Sequence, residues 1–129
     1  MNIPKDLKYT EEHEWVKVSG DTATIGITDF AQGELGDIVY VEVDTVGDEL
    51  EKGDVLGIIE AVKTTSDMYT PVSGEVLEVN PEITEEDGDN PALINEDPYG
   101  NGWIAKIKIS DESELDDLLS AEAYEELVS

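Results

Sequence analysis

The 129-residue chain has no cysteine and no arginine, and only one histidine and one phenylalanine. Without cysteine there is no disulfide, no thiolate nucleophile and no thiolate metal ligand. A single histidine leaves no Cys/His set and no Ser/His/Asp set, and the acids are too numerous for any pair to be singled out as catalytic. His13 by itself makes no metal site, and the acids do not follow the spacing of a calcium loop, so His13 is read as structural. No apolar run approaches the ~18 residues needed to cross a bilayer. Met1–Tyr9 shows neither the apolar region of a signal peptide nor an Arg-rich transit pattern, so the expected location is the cytoplasm. Positive charge is scarce too: seven lysines stand against 33 acids, for a net charge of −26. That balance argues against a nucleic-acid or anionic-membrane partner. It suits an acidic protein that docks onto basic surfaces, a surface adapted to high salt, or both.

What is present is regular apolar alternation, which argues against disorder despite the charge. The length fits one domain over residues 1–129 with a core of its own. After Thr10–Trp15, Val16 and Val18 alternate with Lys17 and Ser19, and with the Gly20–Asp21 turn and Thr22–Ile27 this reads as a β-hairpin. Thr28 is placed to cap a short helix ending near Gly33 or Gly36. Ile38–Val43 reads as a strand, with Ile38, Tyr40 and Glu42 on one side and Val39, Val41 and Val43 on the other. Gly36–Asp44 is echoed by Gly74–Asn80, each a glycine, an acid and a Val-rich strand. Such an echo suggests two similar half-sheets packed face to face. Pro81–Asp89 is an acidic loop. Asn90 and Pro91 are suited to open one helical turn through Ile94, and a turn-rich stretch leads to Trp103. Ile104–Ile109 makes a last strand with Lys106 and Lys108 outward. Trp15 and Trp103 read as core or edge packing. Residues 110–129 hold eight acids and no base. There Asp111 and Glu114 suggest a capping box, with Leu115, Leu118 and Leu119 at helical spacing. Ser120 caps a second helix over Ala121–Val128, with Tyr124, Leu127 and Val128 on one face.

Between these halves lies Ile58–Gly74. A partly β-branched run leads into Lys63, polar residues follow, and Pro71 and Gly74 mark a turn. The pattern is strand, tight turn, strand, with the only lysine between Lys52 and Lys106 at the tip. A lysine so placed is either a solubilising turn residue or a handle for covalent modification. Glu60–Ala61–Val62–Lys63, with Pro71–Val72–Ser73–Gly74 eight residues beyond the lysine, resembles the biotinyl/lipoyl carrier hairpin.

Further motifs stand in order with it: His13–Glu14–Trp15, Ile25–Gly26–Ile27–Thr28, Ser66–Asp67, and Asn95–Glu96–Asp97–Pro98–Tyr99 with Gly102–Trp103. From about Tyr9 to the C-terminal helices the chain resembles the H-protein family of the glycine cleavage system. The resemblance implies a mostly β, flattened lipoyl/biotinyl-type barrel, made of two antiparallel sheets with a hammerhead-like hairpin and short C-terminal helices. It implies lipoic acid joined by an amide to Lys63, and Glu14 and Asp67 near the arm and its aminomethyl cargo. It implies a monomeric carrier rather than an enzyme. The partners implied are a pyridoxal-phosphate glycine decarboxylase (P protein), a folate-dependent aminomethyltransferase (T protein), a dihydrolipoyl dehydrogenase (L protein) and a lipoate ligase or lipoyl transferase. Ala61, Thr64, Thr65 and the acidic loop depart from the family's usual pattern. Competing readings are a lipoyl domain of another complex, in which aspartate usually precedes the lysine, and a biotin carrier, in which methionines flank it. A lipoate-relay protein and a cofactor-free acidic interaction module also remain.

Overall fold

The computed structural model describes residues 3–84 and 90–128. Its strands form two antiparallel sheets. The larger contains β1 (Lys8–Tyr9), β2 (Glu14–Ser19), β3 (Thr22–Ile27), β5 (Glu49–Leu50), β8 (Gly74–Val79) and β9 (Ala105–Ile109), in the order β1-β2-β3-β9-β8-β5. The smaller contains β4 (Ile38–Glu42), β6 (Val55–Ala61) and β7 (Thr65–Tyr69), in the order β4-β6-β7. Buried Ile25, Val76 and Ile107 of the first share one apolar cluster with Val41, Leu56, Ile59 and Met68 of the second. The two sheets thus bury a common core, as the flattened barrel requires. The echoed strands β4 and β8 fall in different sheets, as the repeat suggested, but the sheets are not similar halves, having six and three strands.

Several local expectations shift under tertiary contacts. The alternation in β4 is broken by a register shift between Ile38 and Tyr40, so Ile38 and Val41 are both buried while Val39 is exposed. A bulge inserts one residue and resets which face each side chain takes. The turn expected over Asn90–Ile94 forms, with Leu93 N–H donating to Asn90 C=O and Ile94 N–H to Pro91 C=O, both at 3.1 Å. The α-helix itself, α2, covers only Leu93–Glu96, and its N-cap, Ala92, makes no side-chain bond. Residues 85–89 of the acidic loop lie outside the described residues. Asp111 does cap its helix, a 3-10 turn over Glu112–Asp117, but through Ser113 N–H. Glu114 makes no reciprocal cap. Its carboxylate instead accepts the Ser73 N–H at 2.7 Å and the Ser73 hydroxyl at 2.8 Å, pinning the turn onto the start of β8. Leu118 ends the 3-10 turn in extended backbone. The last helix, α3 (Ala121–Val128), has the Ser120 hydroxyl accepting the Ala123 N–H. Tyr124 is buried and Val128 joins the same apolar cluster, but Leu127 is exposed.

A second cluster gathers Leu7, Tyr9, Trp15, Ala121 and Tyr124 under the C-terminal helix. Gly26 makes room for it. A Cβ there would lie 2.6 Å from the Trp15 indole, directly across the β2–β3 ladder.

Candidate functional site

Lys63 lies where the pattern placed it, between β6 and β7. The tip is closed by Ala61 N–H donating to Thr64 C=O at 2.8 Å, and Val62 N–H donates to Asp37 C=O at 2.9 Å. Val62, Lys63 and Thr64 are all exposed. The lysine stem passes over Gly36, where a Cβ would meet Lys63 Cε at 3.1 Å. Gly36 is the C-cap of α1 (Asp29–Leu35), with φ +79°. Glycine suits both demands, since it adopts positive φ freely and leaves the stem its path. Asn95 fixes this end of the helix: its side chain donates to Gly36 C=O at 2.8 Å and accepts the Ile38 N–H at 3.0 Å.

At its other end α1 is capped by Thr28, whose hydroxyl accepts the Ala31 N–H. Between the two ends the helix forms one wall of a cleft of about 440 Å³. Phe30, Ala31, Glu34 and Leu35 contribute from α1, Glu12, His13 and Glu14 from the segment entering β2, and Ile59, Ser66, Asp67 and Met68 from the smaller sheet. Seven helical residues span about 10 Å, so the Lys63 stem at Gly36 lies about that far from the Thr28 end of this wall.

Glu14 and Asp67 therefore do come together, as walls of one cleft, but in unlike settings. Asp67 is exposed, whereas Glu14 is 3% exposed. One Glu14 oxygen accepts the Thr10 hydroxyl at 3.0 Å and the other accepts the Tyr69 N–H at 3.0 Å. Burial pushes the Glu14 carboxyl up to about 7, against those two hydrogen bonds and with a further push from Glu12. A buried carboxylate on the wall of a cleft gains from a cation placed beside it. Among the described residues, no three histidine, aspartate and glutamate side chains group to hold a metal ion. The cleft is thus apolar along Ile27, Phe30, Leu35, Ile59 and Met68, and acidic at Glu12, Glu14, Glu34 and Asp67. It suits an aliphatic chain ending in an amine.

His13 is structural in part, as expected. Its Nδ1 lies 2.9 Å from the Tyr124 hydroxyl, and its ring packs on Phe30 with centroids 4.8 Å apart. It also lines the cleft, which its isolation in the sequence did not suggest. Phe30, Glu34, Ile59 and Met68 were not singled out either. The Thr28 cap located the helix, but no periodicity tells which helix face meets the other sheet. Trp15 is core, and its indole N–H donates to Pro98 C=O at 2.9 Å. Trp103 is half-buried, with the Lys106 ammonium 4.9 Å above its ring.

Comparison with known proteins agrees with this arrangement. Residues 7–129 match the family described as glycine cleavage H-protein. The glycine cleavage system H protein of Carboxydothermus hydrogenoformans is 59% identical over 126 residues, covering 98% of this chain and 94% of that protein. The protein of the same name from Staphylococcus haemolyticus is 56% identical, covering 99% of this chain and 98% of that protein. The crystal structure of a glycine cleavage system H protein from Mycobacterium marinum superposes with a TM-score of 0.82 at 38% identity, covering 95% of each chain. With the match running across both sheets, the lysine hairpin and the helical tail, the chain belongs to the glycine cleavage H-protein family.

Proposed function

We propose that the protein is a lipoyl carrier of the glycine cleavage system, with lipoic acid joined by an amide to Lys63. The observation that carries the reading is Lys63 itself, exposed at the tip of the β6–β7 hairpin in a chain of this family, with its stem over the end of a cleft-lining helix. The residues fit such a group: the tip is open to a ligase, and the apolar wall of the cleft suits the aliphatic arm. Bound there, the group supplies a redox-active dithiolane that takes up the aminomethyl unit of glycine.

The chain's own residues receive and protect that cargo. Its amine is cationic at neutral pH, next to a carbon prone to hydrolysis. Glu14 and Asp67 hold it by charge-assisted hydrogen bonds, while Phe30, Leu35 and Met68 limit access of water. The carrier takes its cargo from a pyridoxal-phosphate glycine decarboxylase and yields it to a tetrahydrofolate-dependent aminomethyltransferase. A dihydrolipoyl dehydrogenase then reoxidises the dithiol. The difficult chemistry belongs to the cofactors of those enzymes, and tethering makes each encounter local. The carrier acts as cosubstrate and is not a catalyst.

Reconstitution with the three partner enzymes tests this. The lipoylated protein should support tetrahydrofolate-dependent glycine cleavage, and Lys63→Arg should abolish it. Full turnover by the Lys63→Arg protein would refute the assignment.

A further inference from the structure

The Tyr124 hydroxyl does not line the cleft but bonds to His13, which does, and to Thr28, the cap of the helix that forms one wall. Tyr124 is fully buried in α3 and stacks on Tyr9, with centroids 4.8 Å apart. Its oxygen lies 2.9 Å from His13 Nδ1 and 2.7 Å from Thr28 Oγ1, partners 111 and 96 residues away in the chain. Thr28 caps α1 and so sets the start of the helix that carries Phe30 and Glu34 into the cleft. His13 lines the cleft, packs on Phe30 and hands the chain directly to Glu14. Its carbonyl accepts the Thr28 N–H at 3.0 Å.

From these contacts we infer that Tyr124 is a positioning residue for the cleft, its hydroxyl fixing His13 and the start of α1 relative to one another. The inference rests on the reading that the cleft holds the amine-terminated cargo. His13 has φ +67°, a conformation that a residue with a Cβ keeps only when its surroundings hold it. The Tyr124 bond is one such hold. A neutral imidazole has one donor and one acceptor nitrogen, and a hydroxyl can meet Nδ1 in either role, so the bond holds the ring whichever tautomer is present. Burial lowers the His13 pKa and favours that neutral ring. A residue far along the tail, packed on Leu7, Tyr9 and Trp15, thereby helps set how the Glu14 and Phe30 walls meet.

Tyr124→Phe keeps the ring and its stacking and removes only the bridge. The chain's single histidine can be read by nitrogen NMR without assignment. Tyr124→Phe should shift the His13 Nδ1 resonance, because that nitrogen loses its hydrogen-bond partner. Loss of the aminomethyl cargo from lipoylated Tyr124→Phe should quicken about fivefold, the share of one net hydrogen bond, while the rate of lipoylation stays unchanged. Glu14→Gln serves as the control for the cleft itself. Faster loss in Glu14→Gln with native loss in Tyr124→Phe would overturn the inference and leave the cleft reading standing. Native loss in both would overturn both. A native Nδ1 resonance at the position of a water-exposed imidazole would overturn the inference whether or not the variant folds. A lowered melting midpoint with an unchanged Nδ1 resonance and cargo lifetime would make Tyr124 a core residue only.

Discussion

Glu14 of the larger sheet accepts the backbone N–H of Tyr69 in the smaller sheet at 3.0 Å. One bond thus joins the strand bearing the buried acid to the strand returning from Lys63. The other Glu14 oxygen is held by Thr10, so the carboxylate has a fixed orientation before any cargo arrives. Such preorganisation lowers the ordering cost of docking.

The position of Glu14 carries a stability signature. Its carboxyl is raised from 4.5 to about 7 by burial, so the folded protein binds that proton more tightly than the unfolded chain. The linked stability is therefore fully present below the unfolded value, is lost as pH rises from 4.5 through about 7, and is level above. Glu14→Gln lacks this slope. Melts across pH should show the variant gaining about 3 kcal/mol on the native protein between acid and pH 8. A difference that does not change with pH contradicts the account.

On the proposed function, cargo retention should follow the same group. The double variant Glu14→Gln, Asp67→Asn should be lipoylated normally yet lose its cargo about tenfold faster, the scale of a charge-assisted hydrogen bond. In the native protein retention should weaken as pH falls through about 7 and Glu14 takes up its proton. Timed mass spectrometry of the loaded protein reads both. An unchanged lifetime in the double variant would leave Glu14 a structural acid and Asp67 a solvated one.

Gly26→Ala probes how the site is supported. The new Cβ meets the Trp15 indole at 2.6 Å and must displace a ring whose N–H is bonded to Pro98 C=O. Overpacking of this kind costs about 1–3 kcal/mol. Denaturant melts should show that loss, with altered tryptophan fluorescence in the folded state.

Salt should stabilise the fold. The ion pairs seen between described residues, Lys52–Asp117 and Lys106–Glu78, are both solvent-accessible and long at 3.4 Å. They offset little of a net charge of −26. At 1 M salt the Debye length is ~3 Å, so most self-repulsion is screened. The melting midpoint should climb steadily with KCl into the molar range. A flat or falling midpoint would reject a surface adapted to high salt and leave the carrier assignment untouched.

Much of this could be read from residue order because the signals were local. Thr28 announced its helix, Gly20–Asp21 its hairpin and Ser120 its cap, and Lys63 stood alone between turn signals. Where the reading failed, a distant partner had intervened. Glu114 has capping-box spacing, but Ser73, 41 residues away, offers two donors and takes the carboxylate. The β4 bulge turns Val39 outward because Ile38 and Val41 both find the core. At the site, the motifs brought out Glu14 and Asp67. The apolar wall formed by Phe30, Ile59 and Met68 depends on how two sheets and a helix meet, which no spacing records.

The central claim is tested most directly by peptide mapping of the protein recovered from its own host. The account predicts a lipoyl amide on Lys63 and an unmodified Lys63→Arg variant. Lipoate on any other lysine, or a Lys63 that is never modified while glycine cleavage proceeds, would contradict it.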